Sequence, residues 1–177
     1  MVQFLLDINL DDPSPGQLGW APQPQHFDRL QGGETIATSE LIRTQEAVAR
    51  ACRKRSITAL YGQAGLGKTF ALRSVIAKLD DVVPFWIEFD RKPTLREVVR
   101  CLYVGIFGEE PTGTRARIVD EVVAALEALA KERTVLVVID EAQRLTQDCL
   151  EQLRRVHELV PSGFALVLAG GNNCWKV

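Results

Sequence analysis

At 177 residues, the chain is long enough for one domain with a substantial core, and 46% hydrophobic with 25% charged residues is an ordinary globular composition. The formal net charge of -2 excludes a global positive field that would draw the whole molecule onto nucleic acid or an anionic membrane. No apolar run approaches the roughly 18 residues of a membrane span, and the first residues lack a basic leader, so we expect a cytoplasmic protein without a membrane span. The four cysteines are dispersed without a CxxC pair, which favours reduced thiols over a zinc site.

The first part of the chain predicts an arm or linker over residues 1–35. Proline and glycine are dense between residues 11 and 35, which argues against regular structure there. Residues 2–10 are strand-like and have no other evident role. We place the folded domain at residues 36–177.

The rest of the chain alternates between helical and strand patterns. Helical spacing of apolar residues predicts helices over residues 38–55, 68–79, 95–107, 116–131 and 150–159. Short apolar runs predict strands over residues 57–61, 82–89, 135–139 and 164–169. Strands that alternate with helices indicate an α/β fold, a three-layer sandwich in which helices flank a parallel sheet.

The segment GQAGLGKT, residues 62–69, matches the phosphate-loop pattern GxxxxGK[ST] between a strand and a helix. Its glycines let the backbone curl so that successive N–H groups point at a phosphate, and the helix that follows adds its positive end. Lys68 is then expected to reach the β- and γ-phosphates of ATP, and the Thr69 hydroxyl to bind Mg²⁺. The predicted nucleotide-binding residues are Gly62, Gln63, Ala64, Gly65, Leu66, Gly67, Lys68, Thr69 and Phe70.

A second motif, VLVVIDEAQ, occupies residues 135–143, where an apolar strand delivers Asp140 and Glu141 to its carboxyl end. Parallel sheets bind ligands at that edge. Asp140 suits Mg²⁺, because a hard cation prefers oxygen ligands and keeps several waters. Glu141 is placed to polarise the attacking water. Gln143 either orients that water or faces solvent.

Weaker signals come from the last predicted strand and from two basic clusters. The strand ends in GGNN, so the amide of Asn172, or less plausibly that of Asn173, is a candidate to sense the γ-phosphate, and we predict catalytic roles for Glu141, Lys68 and Asn172. The clusters around residues 50–55 and 154–155 are more typical of solvated helix faces than of a phosphate or nucleic-acid contact.

Together, GQAGLGKT, VLVVIDEAQ and FALVLAGGNN resemble the AAA+ ATPases grouped with ExeA-type secretion ATPases and the transposition proteins of the Mu B and TniB kind. The resemblance covers residues 35–173. It implies a P-loop NTPase sheet with the ATP site along one edge, ATP-dependent homo-oligomers, and partners that include DNA and a transposase. Gly171 rather than Asn172 is the alternative for the sensor position.

The resemblance also implies elements that the chain does not show, namely an arginine finger, a fifth strand and a helical lid. The fifth strand would border the strand of residues 57–61, so we expect that edge to be exposed unless another segment covers it. Two explanations stay open: the core is truncated, or residues 2–10 pair with the edge.

The sequence therefore predicts a magnesium-dependent ATPase domain that acts as a nucleotide-dependent switch, with DNA transposition as one setting. The alternative is a regulatory module that binds ATP with little or no hydrolysis, because no arginine finger is assigned. A small-molecule kinase is disfavoured because the chain offers no arginine-bearing lid, and a helicase because there is no room for a second motor domain.

Overall fold

The computed structural model of the chain describes residues 39–63, 65 and 67–171. Within them, the elements in chain order are α1 (Ser39–Lys54), β1 (Ile57–Tyr61), α2 (Lys68–Ile76), β2 (Val82–Glu88), α3 (Leu95–Phe107), α4 (Arg115–Glu132), β3 (Thr134–Asp140), α5 (Gln147–Glu158) and β4 (Ala165–Gly170). The alternation predicted from the sequence is confirmed. Every predicted helix and strand is present.

The strands form one sheet in the order β1-β4-β3-β2, and every neighbouring pair is parallel. All carboxyl ends therefore lie at one edge of the sheet. The order places β3 and β4 in the centre, with β4 between the strand that enters the phosphate loop and the strand that ends in Asp140.

Helices cover both faces of the sheet, which confirms the predicted three-layer sandwich. α1 and α2 pack on one face and α3, α4 and α5 on the other. β3 shows why the middle layer is stable: its side chains point alternately into the two cores, Leu136 and Val138 to one side and Val137 and Ile139 to the other, all fully buried. Burying each such side chain contributes about 1.5 to 3 kcal/mol, which is why a central parallel strand is apolar throughout.

Threonine caps set the start of three helices more sharply than apolar periodicity does. The Thr94, Thr114 and Thr146 side chains each accept a hydrogen bond from the backbone N–H three residues later. α5 consequently begins at Gln147, directly after its cap, rather than at residue 150 as the apolar pattern predicts.

β1 lies at an edge of the sheet, as the resemblance leads us to expect. Ile57 is 39% and Tyr61 61% exposed, whereas the residues of β3 beyond Thr134 are buried. Residues 2–10, the hypothetical partner of this edge, lie outside the described residues, as does the predicted boundary at residue 36. None of the described helices combines the length and apolarity that a bilayer crossing requires.

Candidate functional site

The loop between β1 and α2 bends through two glycines in the left-handed region. Gly65 has φ 81° and Gly67 has φ 71°, a conformation that costs glycine little and other residues more. Gly67 caps α2, with its carbonyl accepting from the Ala71 N–H at 2.8 Å. A Cβ added at Gly65 or Gly67 would meet no atom within 4 Å, so the backbone conformation rather than crowding is what favours glycine at both positions. Ala64 and Leu66 lie outside the described residues.

Lys68 is the first residue of α2, and its ammonium folds back over the loop. Nζ donates to the carbonyl oxygens of Gly62 at 3.0 Å and Gln63 at 2.9 Å. The positive charge is therefore held beside the N-terminus of α2, where the helix dipole is also positive. This arrangement favours an anion at the mouth of the loop. Phe70, in the same first turn, is 38% exposed.

Asp140, at the end of β3, is the one buried charged residue in the part of the chain that the structure describes, with 3% exposure. Its carboxylate is hydrogen-bonded at both oxygens. Oδ1 accepts from the Glu141 N–H at 2.9 Å, and Oδ2 accepts from the Thr69 hydroxyl at 2.8 Å. The predicted pair of magnesium ligands is thus brought into direct contact from positions 71 residues apart.

This pair fits the chemistry of Mg²⁺. A hydroxyl and a carboxylate are hard oxygen donors, and Mg²⁺ commonly takes only one or two protein ligands beside waters and substrate phosphates. Among the described residues, no group of three or more His, Cys, Asp and Glu side chains forms a fuller metal cage. The residues present therefore suit a cation shared with a nucleotide.

Glu141 follows Asp140 in an unusual backbone conformation, with φ 53°. A non-glycine residue in the left-handed region is uncommon and is often found at functional sites. It precedes a short 3₁₀ turn, Ala142–Arg144. Its Oε2 accepts from Gln143 Nε2 at 2.5 Å and lies 3.7 Å from Arg144 Nε.

The carboxyl end of β4 meets the same cluster through Gly171. Its N–H donates to Gln143 Oε1 at 2.8 Å. Of the three residues considered for the sensor position, Gly171 lies near Glu141 through one intervening side chain, and Asn172 and Asn173 lie outside the described residues. Gln143 therefore does not simply face solvent, as one of the two interpretations of the sequence held, because its side chain bonds both Glu141 and Gly171.

Glu88 is a further acidic neighbour that sequence reasoning missed. It ends β2 and is the register partner of Asp140. Partial burial raises the pKa of its carboxyl, and the charges of Asp140 and Glu141 raise it further, against an opposing effect of Arg73. The sequence did contain a signal for Glu88, because the predicted strand over residues 82–89 ends at the same sheet edge as the acidic motif.

The basic clusters lie away from this edge. α1 ends in Arg53 and Lys54 just before the amino end of β1, which is opposite the carboxyl edge. Arg55 there donates to the Ser162 carbonyl at 2.5 Å, and Arg154 pairs with neighbouring glutamates on α5.

The histidine and cysteines of the described part show no metal arrangement. His157 contacts the carbonyls of Arg55 and Phe164 through Nε2, as expected of a structural histidine. Cys52, Cys101 and Cys149 are free thiols.

Comparisons with known proteins bear on this arrangement. A sequence model of the family described as "AAA domain" matches residues 50–177. Among solved structures, the ORC2 protein of Aeropyrum pernix, determined as ADPNP and ADP complexes, is 19% identical with a TM-score of 0.57, covering 80% of this chain and 43% of that one. Cdc6p from Pyrobaculum aerophilum is 18% identical with a TM-score of 0.57, covering 90% and 42%. The chain therefore spans less than half the length of either structure, and these likenesses show the fold. No curated protein matches the chain.

Proposed function

The chain belongs to the AAA domain family, and we propose that it binds ATP with Mg²⁺ and hydrolyses it where the phosphate loop meets the end of β3. The observation that carries the proposal is the 2.8 Å hydrogen bond between the Thr69 hydroxyl and Asp140. It joins the two motifs and leaves the carboxylate of Asp140 buried beside the phosphate loop, where an unpaired charge would be costly and a cation would compensate it.

In this proposal, the phosphate loop and α2 bind the phosphates, and Thr69 and Asp140 bind the metal ion. The loop N–H groups and the N-terminus of α2 hold the β- and γ-phosphates, and Lys68 offsets their negative charge. Thr69 and Asp140 would hold Mg²⁺, which when bound supplies further compensation for charge on the phosphate oxygens. Hydrolysis then depends on a water positioned in line with the γ-phosphate.

Glu141 is the residue that we propose as the base. As the water oxygen bonds to the γ-phosphorus and the bond to the ADP oxygen breaks, the water proton passes to the Glu141 carboxylate. A positioned base of this kind contributes about 10²- to 10⁴-fold in rate.

A second candidate function is a nucleotide-binding module with little turnover. The observation in its favour is that the Glu141 carboxylate already accepts a hydrogen bond from Gln143 and lies near Arg144. Both interactions compete with a water for the carboxylate. In this case ATP binding alone would be the signal.

Two substitutions with matched controls test the proposal. Lys68→Ala is expected to weaken binding of a fluorescent ATP analogue by about 10- to 100-fold, since a charged hydrogen-bond donor is lost. Lys78→Ala removes an exposed lysine beyond α2 and should leave binding unchanged.

Glu141→Gln should retain affinity but lower phosphate release by about 10²-fold or more, whereas Glu132→Gln, at the exposed end of α4, should not. Absence of magnesium-dependent ATP binding by the folded wild-type chain would refute the whole proposal. Binding with equal background turnover in wild type and Glu141→Gln would support the non-hydrolysing module instead.

We further propose that nucleotide binding drives self-association and that DNA and a transposase are candidate partners, as the resemblance to the ExeA, Mu B and TniB group implies. The motifs of residues 62–69, 135–143 and 164–173, which carry that resemblance, support this proposal. Sedimentation of the chain with a non-hydrolysable ATP analogue, with and without duplex DNA, tests this part. A monomer under all conditions would contradict it.

A further inference from the structure

Gln143 forms two hydrogen bonds with opposite ends of its side-chain amide. Nε2 donates to Glu141 Oε2 at 2.5 Å, and Oε1 accepts from the Gly171 N–H at 2.8 Å. The amide has only one workable orientation here, because an ionised carboxylate only accepts and a backbone N–H only donates. Gln143 is therefore a bridge of defined polarity between the acidic motif and the end of β4.

We propose that Gln143 is a positioning residue, which sets the place of the Glu141 carboxylate relative to the carboxyl end of β4. This inference deepens the proposed ATPase function and depends on it for its catalytic consequence. The two hydrogen bonds of the bridge do not themselves depend on ATP hydrolysis.

The turn that carries Gln143 is firmly attached to the core. Ala142 and Leu145, on either side of it, are 1% and 2% exposed and pack in the core beneath α3, α4 and α5. The Arg144 N–H donates to the Glu141 carbonyl at 2.9 Å, which closes the turn. The backbone of Gln143 is thus held, and its side chain has a defined reach.

Glu141 needs an external support because little else restrains its carboxylate. The residue is only partly buried, and Arg144, the cation paired with it, lies at 3.7 Å with its side chain 35% exposed. Such an exposed ion pair contributes little. The short bond from Gln143 is therefore the stronger of the two restraints.

The other end of the bridge makes the position of Glu141 dependent on β4. Gly171 directly follows β4, which lies between β1 and β3. A Cβ built at Gly171 would lie 3.8 Å from Gln143 Cδ, which is van der Waals contact distance, so the Gln143 side chain packs beside the Gly171 backbone. A shift of the β4 terminus would move the Gly171 N–H donor and, with it, the Gln143 amide that donates to Glu141.

Two variants separate the ends of the bridge. Gln143→Glu keeps an acceptor for the Gly171 N–H but replaces the donor to Glu141 with a repelling carboxylate. Gln143→Met has similar length and provides neither. Gln147→Glu, exposed in the first turn of α5, introduces the same charge change nearby and is the control.

Steady-state kinetics give the first readout. We expect both Gln143 variants to lower kcat by about 10-fold or more, since small displacements of a catalytic group are costly, while the KM for ATP stays within about twofold. The control should match wild type. Equal kcat for wild type and both variants, with thermal unfolding showing folded protein, would overturn the catalytic positioning.

Amide hydrogen exchange of Gly171, followed by NMR on this 19.7 kDa chain, gives a readout independent of turnover. The Gly171 amide should be protected in wild type and Gln143→Glu and exchange faster in Gln143→Met. If wild type and Gln143→Met exchange equally fast, the bridge is refuted. If the bridge is found but wild type shows no hydrolysis, the proposed ATPase function fails and the catalytic role of Gln143 fails with it.

Discussion

Strands β1 and β3 lead into the two halves of the candidate site from different positions in the sheet. β1, which enters the phosphate loop, lies at the edge with Ile57 and Tyr61 exposed, whereas β3, which ends in Asp140, is central and buried from Val135 onward. The acidic half of the site therefore rests on a rigid strand and the phosphate-binding half on a softer one, since buried strands open only near the global unfolding free energy.

The largest effect that we expect comes from replacing a leucine by alanine in β3 and, for comparison, in β1. Leu136→Ala in β3 is expected to lower the free energy of unfolding by about 2 to 5 kcal/mol, because Leu136 is fully buried and a cavity would remain. Leu60→Ala in β1, where the leucine is only partly buried, should cost about 1 kcal/mol or less, since the site can relax into solvent. Urea unfolding measures both. Equal losses in the two variants would contradict a difference in local stability between β1 and β3.

A smaller effect is expected if the edge at β1 is covered by the start of the chain. Apart from Leu5, residues 2–10 alternate apolar and polar residues, with Val2, Phe4, Leu6, Ile8 and Leu10 in phase, which suits a strand with one buried face. Deletion of residues 2–10 should then speed amide exchange in β1 by about tenfold, equivalent to about 1.4 kcal/mol.

The exchange of β3 amides serves as the internal control for that deletion and should not change. Unaltered β1 exchange would contradict pairing of residues 2–10 with this edge. Protection of β1 that rises with protein concentration in both forms would indicate a second copy of the chain as the cover.

The smallest effect concerns the acidic cluster at the ends of β2 and β3. Burial and the charges of Asp140 and Glu141 raise the pKa of the Glu88 carboxyl above its usual 4.5, so the folded state binds that proton more tightly than the unfolded state. Its contribution to stability is present below pH 4.5 and is lost as pH rises through the folded-state pKa. Without magnesium, Glu88→Gln should therefore equal wild type in acid and become the more stable form toward neutral pH.

Glu97 provides the opposite control for this titration. The Thr94 backbone N–H, its hydroxyl and Arg91 lower the pKa of the Glu97 carboxyl, so its stabilisation is present above the usual pKa and lost in acid. Glu97→Gln should therefore be less stable than wild type at neutral pH, with the gap closing on acidification. Thermal unfolding across pH gives both curves, and parallel curves for Glu88→Gln and wild type would contradict the shift.

Local patterns explain why the fold class was predictable. The apolar run of residues 135–139 can only be satisfied by cover on both faces, and glycines around Lys68 interrupt the chain between a strand and a helix. Helix starts were less predictable from apolar spacing alone: α5 begins at a polar turn, because the Thr146 hydroxyl satisfies the Cys149 N–H. The fold class and the AAA domain family agree with the prediction from these motifs, and the ExeA, Mu B and TniB group within that family stays a prediction.

By itself, the sequence determined which residues are chemically suited to bind a phosphate or a hard cation, because backbone curl, charge and apolar periodicity are local properties. Only the tertiary structure decided that Thr69 touches Asp140, that Glu88 stands beside it in register, and that Gln143 joins Glu141 to Gly171. These contacts depend on strand order, which places β4 between β1 and β3. Strand order is a balance of packing over the whole sheet, and no single segment encodes it.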